Sequence, residues 1–210
     1  SIPLPASSVV VGGRTDFGLG YSTTGTIERL ASREDPAHPP QLVVTTDAAA
    51  PPPPTTPTTT TVPSTADTYV FNGAGTQNFG GATPLLLSAA SYRSLLRFDT
   101  SLLATTTSVS SLALRLSATV GLASGGVQVP AEPDGWTEAG TTWSNQPAWS
   151  SQVAATATTQ SSPGWIVVAL PVSALVAGAN TSLGLSYSAA GMIERVSSRE
   201  DTAHAPQLVI

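Results

Sequence analysis

Residues 1–44 align without a gap onto residues 167–210, at a constant offset of 166, and 24 of the 44 pairs are identical. Leu4 meets Leu170 and Gly12 meets Gly178; Ile27-Glu28-Arg29 returns as Ile193-Glu194-Arg195, Ser32-Arg33-Glu34-Asp35 as Ser198-Arg199-Glu200-Asp201, and Pro40-Gln41-Leu42-Val43 as Pro206-Gln207-Leu208-Val209. Self-similarity at one fixed spacing marks a repeated structural unit. Residues 1–46 therefore read as the C-terminal strands of a preceding repeat. A piece this short rarely buries enough apolar surface to fold alone. Its Leu, Val and Ile faces need partner strands, supplied from upstream in the same polypeptide or by a neighbouring chain through strand exchange.

Between the copies, residues 47–65 hold Pro51 to Pro54 and a run of threonines. Proline fixes φ and removes a donor, so this stretch is expected to be an extended spacer reaching roughly 60 Å at about 3.1 Å per residue. Ser/Thr-rich stretches with proline are also the composition of O-glycosylated stalks, which makes Thr55, Thr56, Thr58, Thr59, Thr60 and Thr61 glycosylation candidates. One N-linked sequon, Asn180-Thr181-Ser182, follows the Gly178 turn and is expected on a surface loop; Arg14 stands at the matching place in the first copy.

Residues 66–210 then make one complete domain. Large apolar residues alternate in Leu96-Arg97-Phe98 and in Leu112-Ala113-Leu114-Arg115-Leu116, and further short runs occur at Thr68 to Val70, Val127 to Val129, Ile166 to Leu170, Leu183 to Tyr187 and Gln207 to Ile210. A period of two separated by Gly, Ser, Asn and Pro is strand spacing. With 18 Gly and 18 Pro, a long amphipathic helix has no foothold. The exception is a single helical turn, Val172 to Ala177, between Pro171 and Gly178, with its copy at Ala6 to Val11. The expected fold is all-β, an antiparallel jelly-roll-like sandwich.

Charge and chemistry exclude several functions. The eight basic residues are all Arg, the net charge is -5, and no basic stripe exists to neutralise a phosphate backbone, so nucleic acid is not an expected partner. Apolar runs such as Ile166 to Leu170 fall far short of the roughly 20 residues of a membrane helix, and no membrane insertion is expected. The chain opens on Ser1 with no leader-like segment, so any signal peptide is expected to have been removed or to lie outside it. There is no Cys to serve as nucleophile or thiolate ligand. His38 and His204 occupy matching places before the same Pro-Gln-Leu-Val strand, as loop ends do, whereas a catalytic His needs its own cleft. Asp134 with Glu138, and Glu194 with Glu200, are sequence neighbours with nothing to set them across one bond. Arg195, Arg199 and Glu200 read as an edge ladder of ion pairs. No catalytic residue and no cofactor is expected. Hard oxygen ligands at Asp67, Asn72 and Asp99 are where a structural calcium would sit, and the metal content is left open. Of the four tryptophans, Trp136 and Trp143 are expected to fill core or corner space, while Trp149, in a loop after Pro147-Ala148, is the expected sugar-contacting ring.

Ala66-Asp67-Thr68-Tyr69-Val70, Arg97-Phe98-Asp99, Gly135-Trp136-Thr137-Glu138, Thr142-Trp143-Ser144-Asn145-Gln146-Pro147 and Ser198-Arg199-Glu200 leading to Pro206-Gln207-Leu208-Val209 together resemble the DNRLRE domain family, which is similar to carbohydrate-binding module family 96. The resemblance spans residues 66–210; residues 1–44 match its last portion. It implies an extracellular β-sandwich, often in tandem in large surface proteins, with alginate-like polysaccharide binding in some members. The expected function is a structural or adhesive part of a secreted or cell-surface repeat protein, or of a glycosylated filament, self-associating with other copies. The alternative is a carbohydrate-binding module that brings a secreted polysaccharide-active enzyme to its substrate.

Overall fold

The chain is seen in a computed structural model, which describes residues 1–210 apart from 21, 23, 26, 28, 46–56, 124, 151–152 and 158–160, with the backbone alone at 154 and 157. It forms two compact units, residues 1–54 and 55–210. Among the described residues of the first unit there is one 3-10 turn, Ala6–Ser8, and no strand. Ile2, Leu4, Phe17, Leu19, Leu30 and Leu42 stand exposed.

The second unit is the expected antiparallel β-sandwich. Its strands are β1 (Thr61–Phe71), β2 (Leu85–Leu87), β3 (Tyr92–Asp99), β4 (Leu112–Ala118), β5 (Val127–Pro130), β6 (Val153–Ala157), β7 (Gly164–Leu170), β8 (Asn180–Tyr187), β9 (Glu194–Val196) and β10 (Gln207–Val209). One sheet runs β7-β4-β10-β1, and β9 and β2 extend it where Ala118 at the end of β4 pairs with Val196. The other runs β1-β3-β8-β5-β6. β1 belongs to both: Thr61 to Pro63 pair with β10, and from Ser64 onward the strand pairs with β3, with a register shift between Ser64 and Ala66. Such shifts bend a strand and sharpen its twist.

The alternating residues meet between the sheets. Leu96 and Phe98 of β3, Leu183 and Leu185 of β8 and Val127 and Val129 of β5 face Leu112, Leu114 and Leu116 of β4 and Ile166, Val168 and Leu170 of β7 in one core. Leu95, which points to the other side of β3, is equally buried, in a second cluster with Ala66 and Trp136. β3 is therefore covered on both faces.

The spacer is shorter than its composition suggests. Thr61 to Thr65, read as spacer, lie in β1, and Thr60 exchanges two backbone hydrogen bonds with Ile210 (2.8 and 2.9 Å). β-branched Thr and Val suit an extended strand, and Pro63 falls where β1 is an edge strand, the position in a sheet that tolerates proline. The helical turn is a 3-10 turn, Val172–Ala174, before Gly178 at φ +79°. The ion pairs do not run as a ladder along one strand: Arg195 lies in β9, and Arg199 pairs with its neighbour Glu200 (3.5 Å) beyond it. Glu194 is buried in β9, where Oε1 accepts the Ala123 N–H (3.0 Å), and Arg199 and Glu200 sit in the turn that follows.

One polar network ties these parts together. The fully buried Asp67 accepts the Arg199 backbone N–H at Oδ2 (2.7 Å), and its own N–H donates to Glu138 Oε1 (3.1 Å). Arg199 Nε donates to the same Glu138 oxygen (2.6 Å). β1, the loop after β5 and the turn before β10 are thus joined through two carboxylates. Burial, reinforced by the charges of Glu200 and Glu138 and opposed by the Arg199 N–H, lifts the Asp67 carboxyl from 3.8 to about 7.

Two outcomes follow from this architecture. Leu185→Ala empties space in the shared core and should cost roughly 2–5 kcal/mol, whereas Leu102→Ala, at an exposed position, should stay within about 0.5 kcal/mol; denaturant midpoints of the two variants decide it. The folded state also holds the Asp67 proton more tightly than the unfolded chain does. That stability is complete below pH 3.8 and is lost as pH rises through about 7. The melting temperature should fall between pH 4 and pH 8, and Asp67→Asn should flatten the fall; a wild-type profile that rises across this window contradicts the assignment.

Candidate functional site

The loop between β5 and β6 lies against the outer face of β3 and β8 and carries three of the four tryptophans. Trp136, near its start, is buried, with Nε1 donating to Ser182 Oγ (3.2 Å) and the Arg97 guanidinium 4.4 Å from its ring centroid. Arg97 pairs with Asp134 and donates to the Trp136 carbonyl. Asp134 also accepts from Ser182 Oγ (2.7 Å) and Asn180 Nδ2 (2.9 Å). Burial alone would raise its carboxyl, but these bonds and Arg97 hold it below the usual range. This end of the loop is closed and structural, as expected for Trp136.

Further along, the face opens. Trp143 and Trp149, both half-buried, flank Arg93 of β3, whose guanidinium carbon lies 5.0 and 4.8 Å from their ring centroids. Trp149 rests on Gly184 of β8, where a Cβ would come within 2.6 Å of its ring. The absence of a side chain at Gly184 sets how deep the indole sits. Beneath lies buried Glu132, whose carboxylate accepts the Ser150 N–H (3.1 and 3.3 Å). Burial lifts its carboxyl from 4.5 to about 7, against the pull of Ser150 and Arg93, and burial also lowers the Arg93 guanidinium from its ordinary value. The result is a cation between two partly open aromatic faces over an acid poised near neutrality. A cation above an indole is attracted by the ring quadrupole, and rings held this way offer flat apolar surface beside a charged hydrogen-bond donor.

The sugar-contacting ring expected at Trp149 is thus joined by Trp143, which the sequence reading set aside as filler. The pairing is invisible locally because its centre, Arg93, stands 50 residues before Trp143. The Glu138 to Trp143 stretch between them is a turn: Asn78 Nδ2 donates to the carbonyls of Glu138 (2.7 Å) and Thr141 (2.8 Å), and Asn145 Oδ1 accepts from the Thr142 N–H (2.6 Å).

The other candidates are scattered. Trp165 lies on the opposite sheet, 4.6 Å from the Arg115 guanidinium carbon and 6.0 Å from the His204 ring. His204 Nδ1 is 2.9 Å from Asp201 and His38 Nδ1 is 3.6 Å from Asp35, the same turn in both copies. Asn180 is not in a loop. It opens β8 opposite Asp99, and Nδ2, the atom that would carry a glycan, is committed to Asp134. Thr58, Thr59, Thr60 and Thr61 are exposed, while Thr55 and Thr56 lie outside the described residues.

Of the calcium candidates, Asn72 is exposed in a 3-10 turn and Asp99 is exposed with Oδ1 accepting the Ser101 N–H (3.0 Å). Asp67 instead groups with Glu138 and Glu200, with one carboxylate oxygen from each within 4.8 Å of the others. Asp67 Oδ1 has no hydrogen-bond partner. Three carboxylates at this spacing suit a hard cation, with Arg199 already compensating part of their charge. Asp134 and Glu138 each answer to a different arginine, so they do not form a pair across one cleft. Among the described residues, no helix is long and apolar enough to cross a membrane.

No protein of curated function matches the chain. Residues 58–210, from just ahead of β1 through β10, match the family model described as carbohydrate-binding module family 96. The match takes in the whole of residues 66–210, over which the resemblance runs. The chain belongs to carbohydrate-binding module family 96.

Proposed function

We propose that residues 58–210 form a non-catalytic module of an extracellular protein, binding an acidic polysaccharide through Trp143, Arg93 and Trp149. The observation that carries this reading is the stack itself: two half-open indoles with a guanidinium between them, on a chain of the carbohydrate-binding family. The rings supply apolar faces for pyranose rings, and Arg93 supplies donors that match a carboxylate. Binding therefore turns on the outer face of β3 and β8, the face away from the main core.

A second reading, a structural or adhesive repeat protein that self-associates as a glycosylated filament, is favoured by a separate observation, the 44-residue repeat with its Pro/Thr spacer. On that reading the sugars sit on Thr55, Thr56 and Thr58 to Thr61, because an N-glycan at Asn180 would break its bond to Asp134. The two roles are compatible in one polypeptide. Intact-mass measurement of native protein, followed by peptide mapping of residues 47–65, should find hexose additions; an unmodified, monomeric protein leaves the binding module alone.

For the binding reading, isothermal titration of the full chain with a polyuronate should give saturable heat, and with a neutral glucan none. Trp149→Ala and Arg93→Ala should each weaken binding about tenfold, which is roughly 1.4 kcal/mol, while Trp165→Ala on the opposite sheet leaves it unchanged. Equal affinity in the Trp143→Ala/Trp149→Ala double variant would remove this face from consideration.

A further inference from the structure

At several turns, the described residues of the first unit repeat the local conformation of residues 167–210 without the strands that surround the latter. The 3-10 turns Ala6–Ser8 and Val172–Ala174 coincide at the repeat offset. Thr15 Oγ1 accepts the Val10 N–H (2.9 Å) as Thr181 Oγ1 accepts the Val176 N–H (3.0 Å). Gly12 and Gly25 hold φ of +76° and +89°, and their counterparts Gly178 and Gly191 hold +79° and +76°. What differs is burial. Leu19 and Leu42 are 72% and 50% exposed, while Leu185 and Leu208, their copies, are at 0%.

The first unit also contains a cleft of about 640 Å³ with Ile2, Pro3 and Leu4 among the residues on one side and Gln41, Leu42 and Val43 on the other. The copies of these two stretches are the end of β7 and the whole of β10, and in the sandwich both pair with one strand, β4. There Leu114 pairs with Val168 on one side and Leu208 on the other, and Arg115 donates to Gln207 Oε1 (2.8 Å). In the first unit Ile2, Leu42 and Gln41 stand at those three places, with no strand between them among the described residues.

We infer that this cleft receives strand β4 of a second copy of the sandwich, a copy that lacks closing strands of its own. The occupant is an alternating apolar strand of the Leu112 to Leu116 kind, with its middle leucine between Ile2 and Leu42. The sandwich of residues 55–210 is not that acceptor, because residues 167–210 already fill its slot, and exchanging one copy of the closing segment for the other brings no net gain in burial. The acceptor is therefore a copy that reaches Ser1 through its own β7, in the same polypeptide. Because the turns and glycine conformations are already set, docking orders fewer backbone torsions than folding a free segment would.

The test places a copy of residues 58–166 directly ahead of Ser1 in the full chain, so that the repeat register runs through unbroken, and follows amide hydrogen exchange. In the 210-residue chain, residues 1–44 should exchange faster than residues 167–210. In the extended chain the two segments should exchange at matching rates, and Leu42→Asp should return residues 1–44 to fast exchange while residues 167–210 stay protected. Fast exchange of residues 1–44 in the extended chain overturns the inference, as does protection that survives Leu42→Asp.

Discussion

Everything in the sandwich hangs on β1 serving two sheets. Its first three residues continue the β7-β4-β10 sheet, and its last eight begin the β3-β8-β5-β6 sheet. β1 passes from one sheet to the other between Pro63 and Ser64, the register shift between Ser64 and Ala66 follows at once, and Asp67 sits just beyond it. A carboxylate held there by the backbone of Arg199 fixes how the strand leaves the bend, since Arg199 stands in the turn that leads to β10. The bend, the buried acid and the closing strand are one device: the acid side chain holds the turn that leads to β10, while its own backbone N–H is held by Glu138.

How much of this was legible in the residues depends on what each strand has to hide. β4 and β7 alternate cleanly because each buries one face, and their leucines, valines and isoleucine announced them. β3 was legible for Leu96 and Phe98, but nothing in the pattern says that Leu95 is covered as well, because its cover comes from a loop distant in sequence. β2 is three leucines with no alternation, β6 is mostly alanine and threonine, and β9 carries a buried glutamate whose partner is a backbone amide from elsewhere. Those strands exist through pairing, not through propensity, which is why composition missed them. The site shows the same division. Trp149 stands out in the sequence because indole rings are rare and large; Arg93 and Glu132 gain meaning only when folding brings them against that ring.

The loop after β5 does two jobs with similar residues. At its start an indole, an arginine and an aspartate saturate one another and are shut in. At its far end an indole pair, an arginine and a glutamate are arranged more loosely, and the rings keep part of their surface open. Saturated polar groups rigidify; partly open ones can trade partners with a ligand. The closed half anchors the open half to the sheet, and Gly184 provides the seat that lets Trp149 settle against β8.

Thr60 and Ile210 face one another across two hydrogen bonds, so the chain comes into the sandwich and leaves it at the same end of an antiparallel pair. In any polypeptide that continues beyond Ile210, a pull on the two sides loads this pair from its open end, one bond after another, instead of shearing all of them together. β10 is three residues long, so the seam offers little resistance before β1 begins to peel from it. The sandwich would then yield first at this seam, while the indole face on β3 and β8 lies on the sheet that the first bonds to break do not hold.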